Sequence, residues 1–216
     1  MDAVARTDAG RAWTSPAHRG TQDPARHLHT LVATIDGATS STREHSLNVA
    51  AYAAAIGAEL GLTEHERDLL HRAGVLHDVG KVCVAPDVLT KPGPLTPPEL
   101  DRIQLHAEIG ATMVAYAGLE AEALLVRHHH ERMDGRGYPD GLAGAAIPYG
   151  ARILFVADAF EAMTSDRPYR HGMPVDVALD ELARCAGDQF DPEVVDVMRH
   201  LVAGRRLHVR ALRHAA

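Results

Sequence analysis

The stretch GVLHDVGKV, residues 74–82, places a histidine and an aspartate at the end of an apolar helical segment, and any fold for this chain must accommodate both. Apolar residues recur at helical spacing from Leu69 to Leu76, so His77 should lie on or beside the inward face of a helix, with Asp78 about 100° further round. Burying a charged group without a partner is costly. Either the histidine is hydrogen-bonded in the core and the aspartate faces solvent, or a bound cation compensates their burial.

The rest of the chain favours helices. Aromatic residues make up 4% of the 216 residues, while alanine and leucine are plentiful, which predicts an all-α fold with one core. Thr63 with Glu66, and Thr96 with Glu99, have the spacing of capping boxes that begin helices. Helical patterns cover about 26–36, 43–61, 64–78, 97–116, 119–130, 150–164, 174–186 and 192–203.

Three segments follow from these patterns. Residues 1–25 are predicted to be a mobile N-terminal arm, residues 26–204 a single helical domain, and residues 205–216 a basic C-terminal tail. Within the domain, the Gly/Pro-rich stretch ERMDGRGYPDGLAGAAIPYG at 131–150 is too long to be an idle connection, so we expect a functional loop.

Composition narrows the functional classes. A formal charge of -7 argues against a surface that binds a nucleic-acid polymer. Cys83 and Cys185 are too few for a disulfide framework, which favours a reducing compartment and core thiols. The longest apolar stretch is alanine-rich and interrupted by Glu59, so no membrane span is predicted and the expected location is the cytoplasm.

Other polar residues also fall in apolar surroundings. Asp158 lies in the middle of RILFVADAFEAM, where a carboxylate needs a cation partner. Three consecutive histidines, 128–130, end a predicted helix, and such imidazoles can converge on a metal, although a surface run is the commoner reading of the tract alone. His45 and His106 each lie among apolar helix positions, where a lone histidine is usually a hydrogen-bonded core residue.

Taken together, LLHRAGVLHDVGKV, VRHHHERMDGRGYPDG, IPYGARILFVADAFEAMTSDRPYR and CAGDQFDPEVV resemble the HD-GYP subgroup of the HD-domain metal-dependent phosphohydrolases over residues 30–205. The HD pair would be His77 and Asp78, and the GYP triplet begins at Gly137. The resemblance implies a single HD-type helical bundle whose long Gly/Pro-rich loop carries the GYP motif.

By that resemblance, seven side chains hold two divalent ions. One ion would be held by His45, His77, Asp78 and Asp158, and the other by the bridging Asp78 with His106, His129 and His130. A hydroxide would complete the bridge between them. Mixed imidazole and carboxylate ligands suit several metals, of which the resemblance favours iron or manganese, while Zn, Ni and Mg remain open.

The resemblance also implies the substrate, cyclic di-GMP, which would be opened to linear pGpG, with further cleavage to GMP left open. Two divalent ions, two aspartates and one hydroxide leave the site near +1, which attracts a phosphodiester. Lys81 is expected to contact the scissile phosphate or protonate the leaving oxygen, and Arg167 and Arg170 to grip phosphate or guanine. Tyr138 is expected at the substrate, on a loop that is either a lid or a docking surface for a diguanylate cyclase.

One departure bears on metal number. Family members that bind three metals carry a glutamate one helical turn before the first ligand histidine, which is His45 here. This chain has Ser41 at that position, so the resemblance implies two ions. Two alternatives stay open: a phosphohydrolase for another cyclic dinucleotide or nucleotide, and a protein-docking module with little turnover. The oligomeric state also stays open, with a homodimer as one option.

Overall fold

The computed structural model describes residues 40–166, 171–204 and 207 of the chain. The predicted arm 1–25, the predicted helix at 26–36 and all of the tail 205–216 except Leu207 lie outside these residues. The α-helices are α1 (Ser40–Glu59), α2 (Glu64–Leu76), α3 (Pro86–Leu89), α4 (Pro97–Tyr116), α5 (Glu120–His128), α6 (Tyr149–Thr164), α7 (Val175–Arg184) and α8 (Pro192–Ala203), with 3₁₀ turns at Val79–Cys83 and Gly144–Ala146.

This architecture confirms the all-α prediction. In the described ranges the β contacts amount to an isolated bridge between Ala186 and Phe190. The short α3 and the two 3₁₀ turns are the elements that the sequence pattern did not predict.

The helices begin where their capping residues place them. Helix α2 starts after Thr63, whose hydroxyl accepts the Glu66 backbone N–H at 3.3 Å while the Glu66 carboxylate accepts the Thr63 N–H at 2.8 Å. Thr96 and Glu99 form the same box before α4. Each box satisfies backbone donors that the first turn of a helix leaves unpaired.

Close backbone contact fixes the relation between α1 and α2. A Cβ atom added to Gly74 would lie 2.6 Å from the Ala50 Cα atom, so the two helices approach as closely as a glycine permits. This contact brings the end of α2, and with it His77, toward the start of α1, where His45 lies.

Buried apolar side chains form two clusters, whereas the sequence predicted one core. The larger cluster joins α1, α2 and α6 to α7 and α8 and includes Ile56, Leu70 and Phe160. The smaller cluster packs the 3₁₀ turn at Val79 against α4 and α5. The end of α2 lies between them, because Leu69 and Leu70 belong to the larger cluster and Leu76 to the smaller.

The expectation that both cysteines are core thiols is wrong. Cys83 is exposed and Cys185 is half-buried, and both are free thiols. Cys83 ends the 3₁₀ turn that follows the buried pair, so its side chain leaves the core where that turn reaches the surface.

The search for membrane spans covered only the described residues. In that part of the chain, no helix combines the length and apolar character needed to cross a bilayer.

Candidate metal centre

The buried face of α2 carries the histidine–aspartate pair into the interior. Helix α2 ends at Leu76, and the next two side chains are 1% exposed for His77 and 4% exposed for Asp78. The solvent-facing reading of Asp78 is therefore wrong. The chain then turns at Gly80, where an added Cβ would lie 2.1 Å from the His106 carbonyl oxygen, so the pair is pressed against α4.

A first group of potential ligands gathers around this pair. One nitrogen or oxygen from each of His45, His77 and Asp78 lies within 4.8 Å of the others. Asp158 on α6 joins them, because its Oδ1 is 3.2 Å from the His45 Nε2 and 3.9 Å from the His77 Nε2. Helix α1, the end of α2 and helix α6 thus bring four side chains to one position.

A second group lies beside the first and consists of imidazoles. Nitrogens of His106, His129 and His130 lie within 4.8 Å of one another, and the Nε2 atoms of His106 and His129 are 3.4 Å apart. His128, the first of the three consecutive histidines, turns away and bonds through Nε2 to Asp140 at 2.9 Å.

The carboxylate of Asp78 connects the two groups. Its Oδ2 lies 3.7 Å from the His45 Nε2 and 3.4 Å from the His77 Nε2, while its Oδ1 lies 3.5 Å from the His106 Nε2. Each oxygen therefore faces a different group. This is the geometry required of a carboxylate that bridges two cations.

Two buried atoms at this point have no hydrogen-bond partner: the His77 Nε2 and the Asp78 Oδ1. Leaving such a group unsatisfied costs about 1–3 kcal/mol, and more if it is charged. A divalent cation in each group would use both atoms as ligands, so the donor set fits a two-metal centre.

Backbone carbonyls orient most of the imidazoles. The Nδ1 atoms of His77, His106 and His129 donate to the carbonyl oxygens of Gly74, Ile103 and Val126 at 2.7, 2.7 and 2.6 Å. A carbonyl oxygen only accepts, so the proton resides on Nδ1 and the lone pair of Nε2 points toward the other ligands.

His45 is oriented by a carboxylate instead. Its Nδ1 donates to the Oε2 of Glu161. The other oxygen of Glu161 accepts from Asn48 at 3.2 Å and from Ser165 at 2.7 Å. Sequence reasoning missed Glu161, because a polar residue one turn after Asp158 adds no signal separate from that of Asp158 itself.

Burial and charge set the protonation of these groups. Burial alone would lower the pKa of His45, but hydrogen bonds to Asp158 and Glu161 outweigh it and raise that pKa to about 10. Burial lowers the pKa of His129 and lowers that of His130 to about 3. The second group is therefore neutral at physiological pH, whereas a proton on His45 occupies the first group when no cation does.

The remaining predicted site residues are placed as follows. The Nζ of Lys81 bonds the Asp78 Oδ2 at 2.7 Å, and the lysine side chain is 33% exposed. The ring of Tyr138 lies over that of His130, with centroids 4.8 Å apart and planes tilted by 31°. Arg167, Arg170 and the side chain of Ser41 lie outside the described part of the chain.

The fold agrees with the comparisons to known proteins. The profile of the HD domain family matches residues 26–194. The chain belongs to the HD domain family.

Curated relatives are named for cyclic dinucleotide hydrolysis. The response regulator RpfG of Xanthomonas campestris, a cyclic di-GMP phosphodiesterase, is 42% identical over 76% of this chain and 43% of its own length. A cyclic di-GMP phosphodiesterase of Thermotoga maritima is 36% identical over 74% of this chain and 44% of its own length. The chain thus spans less than half the length of these relatives.

Solved structures share the fold. The cyclic GMP-AMP phosphodiesterase V-cGAP3 of Vibrio cholerae aligns with a TM-score of 0.61 at 23% identity, over 83% of this chain and 48% of its own. An HD-GYP-type protein of Bdellovibrio bacteriovorus aligns with a TM-score of 0.64 at 17% identity, over 84% of this chain and 62% of its own.

Proposed function

We propose that this chain hydrolyses cyclic di-GMP at a centre of two divalent ions. The proposed ligands are His45, His77, Asp78 and Asp158 for one ion, and Asp78, His106, His129 and His130 for the other. The observation that carries the proposal is the buried Asp78 carboxylate, with one oxygen turned to each imidazole group. The names of the relatives at 36–42% identity support the substrate class.

The protein's own residues prepare a site for an anionic substrate. When bound, two divalent ions stabilise the developing charge on a phosphodiester and activate water for attack. The five imidazoles add no charge, so the two aspartates leave two of the four positive charges uncompensated. The site then attracts phosphate within a chain of net charge -7.

Lys81 is the proposed general acid and phosphate contact. Its ammonium lies against the Asp78 carboxylate and is partly open to solvent, so it can reach a substrate without leaving the centre. An ammonium there can donate a proton to the departing oxygen.

Three further residues are proposed to bind the substrate. Tyr138 offers a flat ring next to His130 on which a base or ribose can rest. Arg167 and Arg170 are proposed to bind phosphate or guanine, because the guanidinium fork matches both.

The identities of the metal and of the product are also proposed. We favour iron or manganese, with Zn, Ni and Mg as alternatives. We propose that linear pGpG is the main product, with GMP as the alternative end product. We further propose that hydrolysis takes place in the cytoplasm. Residues 26–204 would act as one catalytic domain between the arm 1–25 and the tail 205–216.

One alternative substrate has a specific observation behind it. A 3'3'-cGAMP-specific phosphodiesterase of Vibrio cholerae is 36% identical over 74% of this chain and 35% of its own length. A mixed cyclic dinucleotide is therefore the second candidate. Docking to a diguanylate cyclase, or to a second copy of the chain, is a further proposal that is compatible with either substrate.

The test combines metal analysis with turnover. Protein purified without oxygen should carry two ions per chain and convert cyclic di-GMP to pGpG. Chromatography of the products would measure this conversion. Faster cleavage of 3'3'-cGAMP in a competition assay would favour the second candidate, and loaded protein that cleaves neither would favour a docking module. Three ions per chain at full activity would overturn the two-metal centre.

A matched pair of variants on α2 ties activity to the centre. His77→Ala should lose metal and turnover together, because a buried ligand is removed. His71→Ala, an exposed position on the same helix, should change neither. Equal behaviour of the two variants would contradict the assignment.

A further inference from the structure

The connection between α5 and α6 carries the GYP motif, and its residues 131–148 are called the GYP loop below. We propose that Glu131 fastens this loop as a fixed wall of the site, so that substrate enters without the loop opening as a lid. The part of the proposal that concerns substrate rests on the proposed function. The part that concerns the loop does not.

Glu131 lies inside the loop, with 1% of the residue exposed. Its Oε1 accepts the backbone N–H of Asp140 at 2.7 Å, and its Oε2 accepts that of Leu142 at 3.0 Å. Both oxygens are thus used by the returning half of the loop. Lifting that half would strip a buried carboxylate of both donors, which is strongly unfavourable.

A second carboxylate ties the same half of the loop to α5. Asp140 accepts two hydrogen bonds from Arg127, each at 2.7 Å, and one from the His128 Nε2 at 2.9 Å. The paired bonds from Arg127 have the fork geometry that makes such contacts strong. This explains why His128 turns away from the ligand groups that its two neighbours join.

The first half of the loop is held from the other side. The N–H groups of Met133 and Asp134 donate to the carbonyl oxygens of Gln189 and Asp188, at 3.3 and 2.7 Å, in the connection between α7 and α8. Both halves of the loop are therefore bonded to the helical body.

Close contact within the loop fixes the tyrosine. A Cβ atom on Gly137 would lie 2.4 Å from the Arg132 backbone nitrogen, and the Tyr138 N–H donates to the His130 carbonyl at 3.3 Å. Tyr138 is consequently placed against His130 by the backbone itself. Glu131 is a positioning residue: it touches neither ligand atoms nor the proposed substrate, but it holds the backbone that presents Tyr138.

Amide hydrogen exchange tests the loop directly in the whole 216-residue chain, loaded with metal and without substrate. NMR should show the amides of Asp140 and Leu142 exchanging at least roughly 100-fold more slowly than the same sequence in an unstructured peptide. Exchange within about tenfold of the peptide rate would show a loop that opens freely and would overturn the proposal. This readout stands even if the chain acts on a substrate other than cyclic di-GMP.

Two buried glutamates, Glu131 in the loop and Glu122 on α5, provide the matched variants. Glu131→Gln replaces one acceptor oxygen by a donor, so protection at the Asp140 and Leu142 amides should fall selectively. Glu122→Gln alters a buried glutamate of α5 that pairs with Arg72 at 2.6 Å, and it should leave both amides protected. Unchanged protection in Glu131→Gln, or equal loss in both variants, would refute the role of Glu131.

Activity then separates positioning from general instability. Glu131→Gln should keep two ions per chain and raise KM for cyclic di-GMP more than it lowers kcat, because Tyr138 is displaced while the ligands remain. An unchanged KM alongside lost amide protection would refute the wall. Asp140→Asn, at a side chain 35% exposed and safe for folding, should lower the same protection by a smaller factor, and no change there would contradict the second anchor.

Discussion

Replacing Glu161 by glutamine should lower the affinity for one of the two proposed ions and leave the affinity for the other unchanged. Glu161 contacts His45 and none of the second-group imidazoles. In the second group, the Nδ1 atoms of His106 and His129 donate to backbone carbonyls instead. The substitution keeps the size of the side chain but removes the charge behind the His45 imidazole. It therefore alters the basicity of one ligand without removing any.

The magnitude follows from the hydrogen bond that changes. A bond to a charged group contributes about 1.5–3 kcal/mol and a neutral bond about 1 kcal/mol, so the substitution removes about 0.5–2 kcal/mol of stabilisation from the ligand. At about 1.4 kcal/mol per factor of ten, this corresponds to about 2- to 30-fold in affinity for one ion. Outer-shell substitutions at metal sites commonly cost about 10- to 100-fold, which overlaps that range.

Calorimetric titration of metal-free protein with Mn²⁺ measures this effect. The wild-type protein should bind two ions, and Glu161→Gln should shift one of the two binding phases while leaving the other within about threefold. Glu122→Gln, a buried glutamate paired with Arg72, controls for placing an amide in the interior. Equal weakening of both phases, or of neither, would refute the argument that Glu161 serves the first group alone.

Three further substitutions test the centre. Asp78→Ala should remove both ions and all turnover, because each oxygen serves one group, and elemental analysis that still finds a full complement would count against the bridge. Lys81→Met should leave metal content unchanged and slow kcat by roughly 100- to 10,000-fold, so a wild-type rate would remove the lysine from the mechanism. Gly80→Ala should lower the free energy of unfolding by about 1–3 kcal/mol or more, since its Cβ would lie 2.1 Å from the His106 carbonyl oxygen. Urea titration measures this change. An unchanged unfolding midpoint would show that α4 can shift to accept the Cβ without loss of stability.

Helix positions were predictable because local signals determine them. The capping boxes at Thr63 and Thr96 are read within four residues of sequence, and both helices begin where these boxes indicate. Helices α4 and α8 have the bounds that the pattern predicted, and the ends of the other predicted helices in the described ranges differ by up to three residues. Fraying ends and short 3₁₀ turns, such as that at Val79–Cys83, depend on packing that no local pattern encodes.

The site was predictable only as a set. His45 and His106 each have an ordinary core reading alone, Asp158 indicates only that some cation partner is needed, and the resemblance of the whole pattern brought the three together. Glu161 was missed because its partner, His45, lies 116 residues away along the chain, and a polar residue one turn from Asp158 adds no separate signal. The bond between His128 and Asp140 was likewise not predictable, since the sequence does not show which of three consecutive histidines faces the ligand groups.

The division of the core into two clusters has a consequence for how such a centre can be tuned. His45 and Asp158 lie on helices whose buried side chains belong to the larger cluster, whereas Leu76 and Val79, which flank the histidine–aspartate pair, belong to the smaller cluster together with the buried apolar side chains of α4, the helix of His106. A change of side-chain volume at Val114 or Ala111 would shift His106 relative to His45 and Asp158 without touching a ligand. The spacing between the two ligand groups is thereby open to adjustment from positions remote from them.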